Sequence, residues 1–407
     1  MITGHPADLV NANIANKTEP TSKGRKLLFV ITEDWYFCSH RLGLAKAAKD
    51  AGYDVAVACR VRNHAKQIEA AGIRLLRLEW NRSNNGVVAQ VRDLRALVAL
   101  YRQERPAICH HVALKPIVLG GLAARLCRIP TVISAVAGLG SVFVMGDVRA
   151  LMLRRFASFA LRIATNRTGW SFVFQNRDDR DRLVAIGAAD PDRATIIPGA
   201  GVDTAKLQPI EASDVEPIRF AVVSRMLTIK GIEDAVEASK ILQTRGVAHR
   251  LLLCGAPDPA NRACIPESTL QAWDALPTVS WLGHIEDVRE IWRMASVAIQ
   301  PSWGGEGLPK SLLEAAACGR PLIATDVPGC RDIARDQHNA ILVPAKSPTA
   351  LADAMQQLAN APHMRAHHGL MSRALVEQEF SAHMVIKRTL ALYGGASRNR
   401  HKNVTRA

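Results

Sequence analysis

Aromatic side chains are scarce in this 407-residue chain, at 5% of the total. Successive stacking platforms for single-stranded nucleic acid are therefore missing, and neither zinc-finger spacing nor an arginine-rich run takes their place. No window approaches 18 uncharged apolar residues, so no segment is expected to span a bilayer. The eight cysteines (Cys38, Cys59, Cys109, Cys127, Cys254, Cys264, Cys318 and Cys330) never fall at C-x-x-C spacing. They read as buried thiols in a reducing compartment rather than as metal ligands or a redox pair. The G-x-G-x-x-G turn of a nicotinamide site is absent after the first strand of either half, which disfavours a dehydrogenase. Residues 1–24 are polar and lack the apolar stretch of a signal peptide, so a cytoplasmic chain is expected.

What is present suits a globular protein too long for one core: 48% hydrophobic and 22% charged residues, with two domains expected. The net charge of +15 is uneven. Basic and acidic residues number 29 and 16 over residues 1–200, 17 and 20 over 201–378, and 6 and 1 over 379–407. A basic first half suggests an anionic partner, and with nucleic acid disfavoured the cytoplasmic membrane surface is the expected one. The stretch 148–165, read as a helix, carries Val148, Met152, Phe156, Phe159 and Ile163 on one stripe flanked by Arg149, Arg155 and Arg162. That pattern fits a helix resting on anionic lipid, or one packed on its own sheet.

Short β-rich runs alternate with helical stretches from Leu27 onward. Strands are expected at Leu27–Thr32, Asp54–Cys59, Arg74–Leu78, Ala107–His111, Thr131–Ala137, Ser171–Phe174 and Ala194–Pro198, with helices near 40–50, 63–71, 87–104, 115–127, 148–165 and 177–186. After a connecting stretch near 205–217 a second series follows: Arg219–Ser224, Arg250–Cys254, Thr278–Trp281, Val297–Gln300, Pro321–Thr325 and Ala340–Val343. The pattern implies two α/β, Rossmann-like domains at 25–205 and 206–379 with a site between them. A helix is expected at 380–395, which by resemblance to known two-domain folds would cross back to the first domain, and segments 1–24 and 396–407 are expected to be disordered.

The most informative stretch is PSWGGEGLPKSLLEAAACGRPLIATDVPG, Pro301 to Gly329. It reads as strand end, glycine-rich loop, helix and returning strand. Glu306 lies in the loop and Glu314 eight positions later on the helix; helical side chains lean toward the N-terminus, so both carboxylates can line one pocket. Gly307 and Leu308 offer backbone amides at a helix start, which suits an anion or a polyhydroxyl ligand. Taken alone, two glutamates at this spacing are more often a cap and a core ion pair. Arg225 and Lys230 follow the first strand of the second domain (SRM…KG), where two cations can neutralise a departing diphosphate.

Together these motifs resemble retaining glycosyltransferase family 4, in particular its bacterial branch for capsule, exopolysaccharide and lipid-linked oligosaccharide. The resemblance spans residues 27 to about 393 and implies the GT-B fold, two Rossmann-like domains facing an interdomain cleft. It implies further that Arg225 and Lys230 clamp the donor diphosphate, Glu306 contacts the donor sugar, Glu314 holds the ribose, and His284-Ile285 border the base. On the acceptor side, Ser39, His40 and Arg41 are placed at a helix N-terminus facing the cleft, with Lys115 near a lipid diphosphate and Gly138 and Gly140 in a Gly-Leu-Gly loop. The residue before Glu306, usually Arg in this branch, is Gly305. Ala137 stands where many relatives carry a sugar-contacting His.

Asp179-Arg180-Asp181 resembles the metal-binding DxD of another transferase fold, but its two Asp fall on different faces of a charged helix. No metal or other cofactor is expected. The reading is a retaining transferase moving a hexose or N-acetylhexosamine from a UDP-sugar to a polyprenyl-diphosphate-linked saccharide at the inner membrane face, without nucleic acid. Two other readings stay open: a nucleotide-sugar epimerase of the same fold, and a non-catalytic basic protein binding membrane or nucleic acid.

Overall fold

The computed structural model describes residues 24–80, 86–139, 161–165, 167–211 and 216–404, with side chains through 394. Seven strands form the first sheet: β1 (Lys26–Glu33), β2 (Asp54–Arg60), β3 (Arg74–Arg77), β4 (Ile108–Val112), β5 (Thr131–Val136), β6 (Trp170–Phe174) and β7 (Ala194–Ile196). Six form the second: β8 (Ile218–Val223), β9 (His249–Cys254), β10 (Val279–Gly283), β11 (Val297–Gln300), β12 (Leu322–Thr325) and β13 (Ala340–Val343). The orders are β3-β2-β1-β4-β5-β6-β7 and β10-β9-β8-β11-β12-β13, and every pairing is parallel.

The central strands of both sheets are buried on both faces, as parallel sheets covered by helices require. All five residues of β4 and all four of β11 and β12 are buried, so helices must cover both faces. Strand order reverses at β1/β4 in one sheet and at β8/β11 in the other. Those are the switch points beyond whose carboxyl ends a ligand crevice opens.

The expected strands all form, with ends shifted by a residue or two. The helices differ more. The one expected at 40–50 forms as Leu42–Asp50, and an additional short helix, Asp34–His40, precedes it, the two separated at Arg41, whose φ is −130°. Residues 115–127 begin as a π-turn at Pro116–Gly120 before the α-helix Gly121–Leu126. Pro309 precedes helix Lys310–Ala317 as its cap rather than lying in its first turn. Of the amphipathic stretch 148–165, residues 148–160 lie outside the described residues, while 161–165 are helical and Ile163 is 42% exposed. Residues 1–23 and 405–407 also lie outside them.

The terminal helix, Ala382–Val404, continues past the boundary expected at 395. It is fastened at its start by Val202, whose amide donates to Phe380 O at 3.0 Å while Ala382 N donates to Val202 O at 2.8 Å. Val385 and Tyr393 then enter the core of the first domain. Tyr393 Oη shares a 2.6 Å hydrogen bond with His110 Nδ1, and the His110 ring stacks on Phe29. His110 and His111, adjacent in β4, point to opposite faces and both are buried. His111 bonds Tyr101 Oη at 2.8 Å, so both histidines are core residues. Among the described residues no helix is long and apolar enough to cross a membrane.

Tyr393→Phe removes the partner of a buried imidazole nitrogen without changing shape. It should lower the unfolding free energy by about 1–3 kcal/mol, read by chemical denaturation, with the far-UV spectrum unchanged.

Candidate active site

The glycine-rich loop leaves β11 and meets its partners within a few residues. Gly304 and Gly305 have φ of 130° and 75°, values that a side chain disfavours, so Gly305 is required by the loop path where an arginine was the expected residue. The turn carries Glu306 inward, where only 9% of the residue is exposed. Lys230 Nζ lies 2.5 Å from Glu306 Oε1, Ser302 Oγ donates to the same oxygen at 2.7 Å, and Gln300 Nε2 approaches at 3.4 Å. Gln300 is itself turned by Ser311 Oγ, which donates to its Oε1 at 3.1 Å. Burial pushes the Glu306 carboxyl up. The Lys230 charge, the hydrogen bonds from Lys230 and Ser302, and the Arg225 charge outweigh that and hold it below the usual range. Glu306 is therefore an anion at neutral pH.

Lys230 ends a short 3-10 turn after β8, and Gly231 (φ 67°) lets that turn press against the Pro301 carbonyl, which sets the ion pair. Arg225, at the β8 carboxyl end, bonds Asp258 at 2.8 Å, and its guanidinium lies 5.7 Å from the Trp35 ring centroid of the other domain. A cation over an indole face is an attractive contact across the crevice.

Glu314 takes a different place from the one expected. Its carboxylate pairs with Lys310 one turn earlier, at 2.9 Å, and Lys310 Nζ also reaches Ser39 Oγ of the first domain at 3.4 Å. The Glu314 side chain borders a 340 Å³ interdomain cavity, together with Lys310, Ser39, His40, Arg41 and Glu286. Glu306 sits apart in its own network, so the two glutamates do not share one cavity wall. His284 is exposed and Ile285 half-buried, just before the cavity residues Glu286 to Val288.

On the first domain, Ser39 and His40 close helix Asp34–His40 instead of opening one, and Arg41 stands between two helices. His40 stacks on Tyr36 at 4.2 Å. Burial, then the Lys310 and Arg41 charges, push His40 down to about 3, so it is a neutral ring. Arg41 is buried and donates to Gly199 O at 3.2 Å, bracing the interdomain turn. Lys115 pairs with Asp93 at 2.8 Å and lies 5.4 Å from the Trp80 ring, tied to its own domain. Gly138 (φ 95°) packs on the glycine-rich loop: a Cβ there would fall 2.6 Å from Gly305 O. Gly140 lies outside the described residues.

Asp179 is buried against Asn176 while Asp181 pairs with Arg180, so the two do not converge. Among the described residues no group of three or more His, Cys, Asp or Glu is placed to hold a metal ion. The same residues contain no disulfide; Cys59, Cys109, Cys254, Cys318 and Cys330 are buried thiols.

Sequence reasoning missed Trp35, Lys310, Gln300, Ser302 and Asn176. Asn176 opens the charged helix Arg177–Ala185 and carried a readable capping signal. Its reach into the other domain needs contacts 131 positions away in sequence, which no local pattern reveals.

Residues 26–167 match the family model described as glycosyl transferase 4-like, and residues 217–361 match glycosyl transferases group 1. A similar curated protein is the Campylobacter jejuni N,N'-diacetylbacillosaminyl-diphospho-undecaprenol alpha-1,3-N-acetylgalactosaminyltransferase, 22% identical over 88% of this chain and 96% of its own. The Escherichia coli UDP-Gal:alpha-D-GlcNAc-diphosphoundecaprenol alpha-1,3-galactosyltransferase is 23% identical over 63% of this chain and 68% of its own. Among solved structures, Anabaena HepE in complex with UDP superposes with a TM-score of 0.70 at 15% identity, covering 91% of this chain and all of that one.

Proposed function

Because this chain belongs to the glycosyltransferases that join a 4-like N-terminal domain to a group 1 C-terminal domain on a GT-B fold, we propose that it transfers a hexose or N-acetylhexosamine from a UDP-sugar, with retention, to a polyprenyl-diphosphate-linked saccharide. The observation that carries this reading is the buried Glu306 anion held by Lys230, with Arg225 beside it at the β8/β11 switch point. In the proposed reaction the bond from the anomeric carbon to the β-phosphate oxygen breaks and a bond to the acceptor hydroxyl forms on the same face. The hydroxyl proton passes to the departing phosphate. Arg225, Lys230 and the amides near Gly307 and Leu308 would stabilise the negative charge that grows there, work suited to preorganised donors and requiring no metal ion. Glu306 would meet the sugar and Glu314, on the cavity wall, the ribose hydroxyls. The transferases among the relatives, two of them named for undecaprenyl-diphosphate-linked sugars, support transfer over epimerisation.

A lipid-linked acceptor calls for a surface that meets lipid, and helix Val87–Glu104 has the required chemistry. Val87 and Val88 are 79% and 84% exposed and Val91 41%. Its two acids, Asp93 and Glu104, are buried and paired with cations, while Arg92, Arg95 and Arg102 are exposed. Neighbouring helix Gly121–Leu126 exposes Arg125 and Leu126. Exposed apolar side chains beside exposed arginines suit an anionic bilayer, and we place the enzyme on the inner face of the cytoplasmic membrane through this side.

Two measurements test the reading. In calorimetry, Glu314→Ala should weaken UDP binding about ten-fold, whereas Glu306→Gln should leave UDP affinity within about three-fold and cut kcat about a hundred-fold; wild-type behaviour of both variants would remove the assignment. In flotation with vesicles containing 30% phosphatidylglycerol, on the order of a physiological anionic fraction, the wild type should bind and the Val87→Ser/Val88→Ser/Val91→Ser variant should not. Equal binding of the two proteins would contradict the docking face.

A further inference from the structure

Asn176 follows β6 and is completely buried. Its Oδ1 accepts from the Asp179 amide at 2.8 Å and caps helix Arg177–Ala185. Its Nδ2 faces three oxygens: the Gly307 carbonyl at 2.8 Å, the Asp179 carboxylate at 3.0 Å and the Glu306 carbonyl at 3.4 Å. A reversed amide would set its oxygen against two carbonyls and a carboxylate, so the NH2 side must face the second domain. The Asp179 carboxylate engages one amide hydrogen and leaves the other for Gly307.

The backbone held in this way is the short stretch between the Glu306 side chain and the start of helix Lys310–Ala317. Other segments close on it without polar direction. A Cβ on Gly138 would lie 2.6 Å from Gly305 O and 2.7 Å from Gly307 N; one on Gly307 would collide with Gln175 and Ala137, and one on Gly329 with the Gly307 carbonyl. Packing of this kind limits how far the loop can move. A directional bond to the Gly307 carbonyl, shared more weakly with the adjacent Glu306 carbonyl, also limits how it turns, and turning the Glu306–Gly307 peptide swings the Glu306 side chain.

We infer that Asn176 is a positioning residue, fixing the Glu306–Gly307 backbone from the opposite domain so that the Glu306 carboxylate is aimed for the transfer step. The inference rests on the function proposed above. It concerns the side of the loop that carries Glu306 and leaves the cavity at Glu314 untouched, so its signature is lost turnover with retained nucleotide affinity.

Asn176→Ser separates this role from capping, because serine keeps an oxygen that caps the helix but has no NH2 to reach Gly307. In transfer assays kcat should fall about ten-fold or more, the cost expected of a displaced reacting group. UDP affinity by calorimetry should stay within about three-fold of wild type. Amide hydrogen exchange in the peptide spanning Gly304 to Leu308 should quicken about five-fold, with Trp281 to Ile285 unchanged. A kcat within about two-fold of wild type, or UDP affinity falling in step with kcat as in general destabilisation, would overturn the inference. Unchanged exchange in the loop would do the same. A wild-type protein that neither binds UDP nor transfers sugar would instead sink the proposed function, and the exchange comparison, which needs no nucleotide, would still decide whether Asn176 holds the loop.

Discussion

A carboxylate kept charged inside the protein is the constraint on which the site depends. Removing Glu306 from water is costly unless a counter-charge and hydrogen bonds replace the solvent, and a buried pair missing one member commonly loses several kcal/mol. Lys230, Ser302 and Gln300 supply the replacement. Each needs its own support. Gly231 lets the Lys230 turn press against Pro301, Ser311 orients Gln300, and Thr325 Oγ1 donates to the Ser302 carbonyl at 2.5 Å. The loop is thus specified by β8 and β11, which flank the switch point, together with β12.

The same loop joins the domains. Asn176, Gly138 and Gln175 come from the first domain, Gly329 from the second, and their close approach leaves no room for side chains at the glycines. Farther along the crevice, Arg225 faces Trp35 and Lys310 reaches Ser39. Cations of the second domain therefore meet aromatic and hydroxyl groups of the first at two places. The terminal helix, sealed by Tyr393 on His110, adds a third tie. In the proposed reaction this arrangement gathers positive charge where a diphosphate departs and leaves acceptor recognition to the first domain.

Much of this was legible in the sequence, for physical reasons. Strands buried on both faces read as mostly apolar runs, so β11 and β12 were legible directly. Glu306, Lys230 and Arg225 lie in the loops that follow strands, where an apolar run gives way to polar and glycine residues, and that context marked them. Less legible were orientations fixed by distant partners. Ser39, His40 and Arg41 formed a polar run after a strand, but Arg41 turns to Gly199 and His40 stacks on Tyr36, closing a short helix Asp34–His40 that the pattern did not show. Lys115 looked free because Asp93 lies on another helix. Glu314 looked apolar-flanked and alone, although Lys310 at i−4 was a visible partner.

The claim that Lys230 and Glu306 act as one unit at the reacting centre is tested most directly by a double-mutant cycle on kcat/KM with Lys230→Met and Glu306→Gln. The account predicts strong non-additivity, each single change costing nearly as much as both together, with a coupling of about 1.5 kcal/mol or more. Losses that simply multiply, to within about two-fold, would mean that the two groups work independently and would contradict it.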